Sequence, residues 1–590
     1  MKAWLPCLLG CALALAGCGK PSSPLAGQRP LPVAPLVSNC ETGRSGGQLV
    51  LALPAAPRTF NPFLAYDPAS DSLTRLLFSP LVRIDQVTQE PGPALAESWS
   101  VSPDQKTWTL KLRPGVRWSD GRPFTADDVV FTWSQLVLNS NYNQMTYDFF
   151  QADGQPFKVS KTDDLTVAAV TPEPFGPFLE FFCALPILPK HILQPSVTRE
   201  KFLDAYGLST PPATLVGSGP FCLKSYAPGK AVLLVRNPEY WATDRAGKRL
   251  PYFEEVKCLV STEPGGDLML FLNGESHVCE GPRPEFFPQF AQASAAGHFK
   301  TVDLGTGLER DFLWFNLNPG NDATGKPFVP PSKRALFARK EFRQAVAFAL
   351  DRPRIAREAY GNRAAPGDGF IGAENPRWVN PKVARYAHDP ARSRQLLADL
   401  GLRDANGDGY LELPDGSEFT VTLSSNRPNP NRERSAQLVV EDLQTVGLRF
   451  VIQTLDYRSL VERITQAFDY ECALMGLGGS GVDPAAQLNV LRSSGDLHQW
   501  FPRQTTPATP WEARIDSLLR ALMRSTDYRQ RKLSFDEIQL IMADEMPMIY
   551  TVSPMAFGAI RPDVQNLRPA VLSPYRLTWN IEELYFQAPR

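Results

Sequence analysis

What the chain lacks narrows its function before any motif is read. Its 590 residues hold only five histidines and nine cysteines. No Cys-x-x-Cys pair and no Cys at zinc-ligand spacing from His occurs beyond residue 18, so a thiol and imidazole metal centre is not expected. Neither charge is in excess, with 61 Lys plus Arg against 62 Asp plus Glu. Nothing therefore drives counterion release from nucleic acid or attraction to anionic lipid, and nucleic acid is not an expected partner. No P-loop, no Gly-x-Ser-x-Gly elbow and no His-Glu-x-x-His is present, and no nucleophile sits beside a recognisable base, so the chain reads as a non-enzyme. Beyond the first residues no apolar run is long enough to span a bilayer. What is present is 43% apolar sequence over a length that calls for several lobes, with 55 prolines and 41 glycines that imply many turns.

The N-terminus reads as a targeting segment. Lys2 precedes an apolar run from Ala3 to Ala16, interrupted by Pro6 and too short to cross a membrane. Leu15, Ala16, Gly17 and Cys18 resemble a bacterial lipobox, which implies a signal peptide at 1–17 and lipidation of Cys18. Gly19 follows where a retention Asp would stand, leaving an outer-leaflet destination open. Residues 18–46 carry Pro, Gly and Ser without apolar periodicity and read as a flexible tether. The mature body is then expected on the periplasmic or extracellular side of the envelope, held to the membrane by lipid alone. Cys40, Cys183, Cys222, Cys258, Cys279 and Cys472 would lie in an oxidising compartment, and spacing does not fix their pairing.

Regular structure is expected from Gln48–Leu53, a strand ended by Pro54, and again at Trp108–Leu112, which alternates apolar and polar residues. Trp118–Gly121 is a tight turn. Thr125 with Asp128 three residues on reads as a capping box opening a helix through Trp133. Lys340–Leu350 reads as an amphipathic helix, and Asp389-Pro390 opens another that stops at Gly401. Short apolar strands at Phe419–Leu423, Phe450–Gln453 and Glu471–Met475 alternate with these helices, which favours a mixed α/β architecture.

Four ordered blocks carry a resemblance. Pro93–Trp133 reads PALAESWSVSPDQKTWTLKLRPGVRWSDGRPFTADDVVFTW, Val216–Trp241 reads VGSGPFCLKSYAPGKAVLLVRNPEYW, Phe342–Gly361 reads FRQAVAFALDRPRIAREAYG, and Ser435–Leu491 runs helix, strand and Asp-Pro turn. Together they resemble family 5 extracellular solute-binding proteins, the oligopeptide, dipeptide and nickel binders of ABC importers. The resemblance covers about residues 47–585. It implies a two-lobed type II periplasmic-binding fold with an extra domain inserted in the first lobe. By analogy lobe one is 47–78, 211–300 and 551–590, the insert is 79–210, and the second lobe is 301–550. It further implies a monomer that captures a peptide or peptide-like solute by lobe closure and hands it to permease subunits. Two alternatives stay open: a non-peptide ligand such as an oligosaccharide, metal complex or amino-acid derivative, and a surface receptor.

Candidate cleft residues follow. Gly476-Leu477-Gly478-Gly479-Ser480-Gly481 matches Gly-x-Gly-x-x-Gly, but Asp483-Pro484 interrupts the helix a dinucleotide site requires. The glycines read instead as backbone that lets a ligand approach. In peptide-binding members an Asp four residues before this proline pairs with the ligand's α-ammonium; here that position is Ser480, whose hydroxyl cannot neutralise a buried cation. Asp483 is the nearest alternative carboxylate. Tyr66, Phe312, Trp314, Cys279, Glu280 and Arg427 fall at lobe edges in the resemblance, although aromatics at such positions equally serve as core. Separately, Asp404, Asn406, Asp408, Tyr410, Glu412 and Asp415 follow EF-hand spacing, with Gly409 at the turn. No cofactor is called for, and a structural calcium ion is what that loop suggests; an acidic turn between helix and strand is its other reading.

Overall fold

The computed structural model describes residues 29–142, 147–152, 154–261, 263, 265–281, 287–295, 297–367, 369–478, 481–572 and 576–588. The expected signal peptide, Cys18, Gly479 and Ser480 lie outside them. Among the described residues no helix is long and apolar enough to cross a membrane.

Three sheets organise the chain. The first orders Phe221–Ala227, Ala231–Arg236, Glu255–Val260 and Gln48–Leu53, antiparallel except for the last pair, where Leu49 sits beside Val256. The second is antiparallel and lies wholly within 79–210: Ala96–Val101, Thr107–Leu112, Thr166–Val170 and Lys158–Asp163. The third has eight strands; its main path is Val278–Cys279, Ile549–Ile560, Arg310–Phe315, Cys472–Leu477, Thr420–Arg427 and Arg449–Asp456. Lys300–Thr306 and Ala364–Pro366 also pair with Ile549–Ile560.

Strand periodicity explains how the third sheet is covered. Arg310–Phe315 is buried at all six positions, as a central strand with both faces packed must be. Because side chains alternate, Leu313 and Phe315 join one apolar cluster while Phe312 and Trp314 join another on the opposite face. The helix Pro430–Gln444, capped by Asn429 through its bond to the Arg432 N–H at 3.0 Å, crosses between the parallel strands Thr420–Arg427 and Arg449–Asp456.

The segment 79–210 shares one continuous apolar core with the first sheet: Trp108 and Phe178, ring centroids 4.6 Å apart, belong to the same cluster as Leu49 and Leu53. The expected capping box is present, since the Asp128 carboxylate accepts from the Thr125 N–H at 3.0 Å. That carboxylate also accepts from Trp118 Nε1 at 3.2 Å and the Lys190 N–H at 3.0 Å. Burial raises its proton affinity, and its role is to tie turn, helix and the Lys190 loop together. The helix is α only over Ala126–Phe131 and widens to a π turn over Thr132–Val137.

One expectation needs correction. The stretch read as tether is bound to the body from Arg29 onward: Leu36–Val37 pairs with Ala242–Thr243, Arg29 with Glu239 at 2.6 Å, and the Gly43 carbonyl accepts from Lys248 at 3.0 Å. Polar composition hid docking that rests on backbone pairing, which periodicity does not reveal. Strand Ile549–Ile560 runs unbroken through position 551 and Lys300–Thr306 through 300/301, so regular structure continues across both expected lobe boundaries. All six cysteines beyond the lipobox are free, five of them buried, and burial pushes Cys258 and Cys279 up to about 12.

Candidate functional site

A cavity of about 800 Å³ opens where the three parts of the chain meet. The first sheet contributes Leu51–Pro54, and the helix Pro68–Leu77 adds Asp71 and Arg75. That helix is set by Asp67, whose carboxylate caps the Ser70 N–H at 2.9 Å, and by Pro68 at its first turn. The segment 79–210 contributes Arg83, Glu180 and Phe181, the segment 301–550 Gly481–Asp483 and Ala486, and the C-terminal segment Arg576, Trp579 and Glu582.

Most charges on these walls are matched. Arg83 pairs with Glu582 and lies 5.8 Å from the Trp579 ring; burial opposes its charge, but Glu582 together with Tyr240 and Glu583 outweighs burial and holds the guanidinium above its ordinary value. Glu280 accepts from the Leu577 N–H at 2.8 Å and from the Thr578 hydroxyl, and burial raises its proton affinity. It fastens the C-terminal segment to the cavity wall. Asp483, 3% exposed, caps the short Pro484–Gln487 turn and pairs with Arg531 at 2.7 Å. Glu180 is different: burial first, then the Asp483 charge, push it up to about 7, with Arg531 opposing.

Of the residues singled out from sequence, Cys279, Glu280 and Asp483 line this cavity. Asp483 is not the free carboxylate expected, because Arg531 already neutralises it. Leu477, Gly478 and Phe312 border a separate pocket of about 40 Å³ with Arg310, Glu374 and Tyr550. Trp314 is core, 1% exposed, and donates Nε1 to the Tyr470 hydroxyl at 3.1 Å. Tyr66 is 62% exposed and Arg427 is exposed at a strand end, and neither lines the cavity. A Cβ at Gly476 would stand 2.3 to 2.7 Å from Arg432, Asp311 and Glu309, so this glycine makes room for protein charges, not for a ligand. Sequence reasoning missed Glu180, Arg83, Arg576 and Trp579. For Glu180 the available signal is a lone acid inside Phe175–Phe182, where five of eight residues are aromatic or leucine.

The acidic loop is built differently from its expected pattern. Asp404, Asp408 and Glu412 bring carboxylate oxygens within 4.8 Å of one another. Asp415 instead accepts from the Ser417 N–H at 2.9 Å and its hydroxyl at 2.6 Å. Asp404 accepts from the Gly407 and Gly409 N–H groups, Asn406 from the Asp408 N–H, and Asp408 pairs with Arg449 at 2.6 Å. The Tyr410 hydroxyl faces Gln444.

Comparison with known proteins agrees with this architecture. Residues 90–499 match the model for bacterial extracellular solute-binding proteins, family 5. A probable ABC transporter-binding protein of Deinococcus radiodurans is 26% identical over 88% of this chain and 91% of its own length. The oligopeptide-binding protein AppA of Bacillus subtilis is 26% identical over 92% of both; its structure with a nonapeptide aligns at 25% identity and a TM-score of 0.65, over 93% of this chain and all of that one. The ABC transporter substrate binding protein CtaP of Listeria monocytogenes aligns at a TM-score of 0.73 and 23% identity, over 92% of this chain and all of that one. With its α/β lobes in the type II periplasmic-binding fold and a family match over most of its length, the chain belongs to the family 5 extracellular solute-binding proteins.

Proposed function

We propose that this chain captures a peptide in the cavity of about 800 Å³ and delivers it to the permease of an ABC importer. The observation that carries the reading is that three separate parts of the chain wall one space. A ligand touching all of them gains contacts only when they close together, so binding stabilises the closed form by that difference. The volume lies within the range of small-ligand sites and suits a short peptide. Kinship with an oligopeptide-binding protein over nine tenths of both chains supports the choice of peptide. The role assigned is binding and transfer, not catalysis.

In the same reading lobe one is 47–78, 211–300 and 551–590, with 79–210 inserted and 301–550 as the second lobe. Cys18 carries lipid and the body sits as a monomer outside the cytoplasmic membrane. Any cation at Asp404, Asp408 and Glu412 is structural. Calorimetry with a defined peptide panel, alongside mass spectrometry of what co-purifies with the chain, tests the ligand class. Micromolar binding of peptides supports it; an oligosaccharide or metal chelate co-purifying while peptides fail replaces it. Cys18→Ala should release the chain from membranes and abolish incorporation of labelled fatty acid.

A further inference from the structure

Glu180 sits on the π turn Phe178–Phe182, whose Phe178 and Phe182 are fully buried and anchor the turn in the aromatic core. The turn thereby holds Glu180 and Phe181 at the cavity wall. No side chain among the described residues donates a hydrogen bond to the Glu180 carboxylate. Asp483 lines the same cavity from the second lobe. Its Oδ1 accepts from Arg531 at 2.7 Å and from the Ala485 N–H at 2.9 Å, while its Oδ2 is buried and without a partner. A buried acceptor left unmade is costly, so this end of the cavity is incomplete as protein alone.

The charges there do not balance locally. Two carboxylates face one close guanidinium, Arg531, whose remaining bond goes to the Leu522 carbonyl at 3.1 Å. Arg377 acts more weakly, because it is turned to the Gln89 carbonyl at 2.9 Å and stacked 4.7 Å from the Tyr528 ring. Cys183, on the same turn, stays a neutral thiol through burial. A ligand cation is the species that would supply both the missing charge and the missing donors, since an ammonium carries three N–H groups.

We propose that Glu180, seconded by Asp483, is the anchor for a positively charged nitrogen of the ligand, its α-ammonium or a lysine side chain. The assignment rests on the peptide reading of the cavity. Glu180 comes from the inserted segment and Asp483 from the second lobe, so a cation between them is held by both and favours closure. Binding also draws Glu180 from its protonated to its charged form, so a proton leaves as the cation arrives.

The test uses the full chain and three probes, all C-terminal amides: tetra-alanine with a free amine, its N-acetyl form, and an N-acetyl tetrapeptide in which one alanine is lysine. We expect a cationic probe to bind the wild-type chain at least about tenfold more tightly than N-acetyl tetra-alanine, and Glu180→Gln to bring them within about twofold. Which cationic probe gains identifies the nitrogen. Calorimetry in buffers of different ionisation enthalpy gives a second readout without a variant: near pH 6, binding of the cationic probe releases most of one proton, and binding of the neutral probe releases none. Equal affinity for all three probes, a preference that survives Glu180→Gln, or equal proton release overturns the assignment and leaves the peptide reading intact. A wild-type chain that binds no probe overturns the peptide reading and the assignment with it.

Discussion

Glu512 and Glu180 are both glutamates set into the protein, and they end at opposite extremes of proton affinity. Glu512 accepts from His498 Nε2 at 3.1 Å, Trp500 Nε1 at 2.9 Å, Gln504 Nε2 at 2.8 Å and the Thr509 hydroxyl at 2.7 Å. Burial works against its charge, but these donors outweigh burial and hold it down to about 2. Glu180 has burial and no such donors, and stands at about 7. Burial alone therefore does not mark a functional acid. A carboxylate whose donors all come from the protein is finished as structure, whereas one without donors has its electrostatics completed from outside.

The contrast can be broken in four ways, the strongest first. Glu512→Ala should cost about 3 to 5 kcal/mol, because four donors lose their acceptor in a site 2% exposed; a urea titration measures it, and a loss under about 1 kcal/mol would remove the distinction. The second test is the acid limb. Glu512 is held below its unfolded value, so its contribution, roughly 3 kcal/mol, is present above about pH 4.5 and drains away as pH falls toward 2. Glu512→Gln should flatten that limb in acid denaturation.

Third, Glu180 has the opposite sign. Its folded-state proton affinity is raised, so its contribution is present below about pH 4.5 and is lost as pH rises through about 7. Glu180→Gln should then raise the melting temperature at pH 8 by a few degrees and leave it unchanged near pH 5. A variant equally destabilised at both values would mean the carboxylate is structural after all. The smallest effect is expected at the acidic loop. Asp415→Asn should change stability by less than about 0.5 kcal/mol, with or without millimolar calcium, because Asp415 is exposed and turned to Ser417. If calcium raises the melting temperature at all, Glu412→Gln and not Asp415→Asn should abolish the rise.

Local signals carried much of the fold. Gln48–Leu53 is a strand over the expected residues, Trp108–Leu112 extends by one, and the helices near Lys340 and Pro390 stop within two residues of their expected ends. Alternation, prolines and caps act within a few residues and can be read from a chain. The site was less legible because its geometry is non-local. Phe312 and Trp314 lie on a strand packed on both faces, where an aromatic facing a pocket and one facing core look alike in sequence. Asp483 could be located, but not its neutralisation by Arg531, 48 residues away. Glu180 acquires its character from burial and then from Asp483, some three hundred positions later in the chain.

The strand Ile549–Ile560 also bears on how the molecule is made. It is an inner strand, with Arg310–Phe315 on one side and Val278–Cys279, Lys300–Thr306 and Ala364–Pro366 along the same ladder. A ribosome reaches it only after every strand it pairs with has been made. Until then the largest sheet lacks the strand that joins Arg310–Phe315 to Val278–Cys279, and the walls of the cavity contributed by Arg576, Trp579 and Glu582 do not exist. The four strands that pair with Ile549–Ile560 keep an open edge until it emerges, and the sheet closes only then.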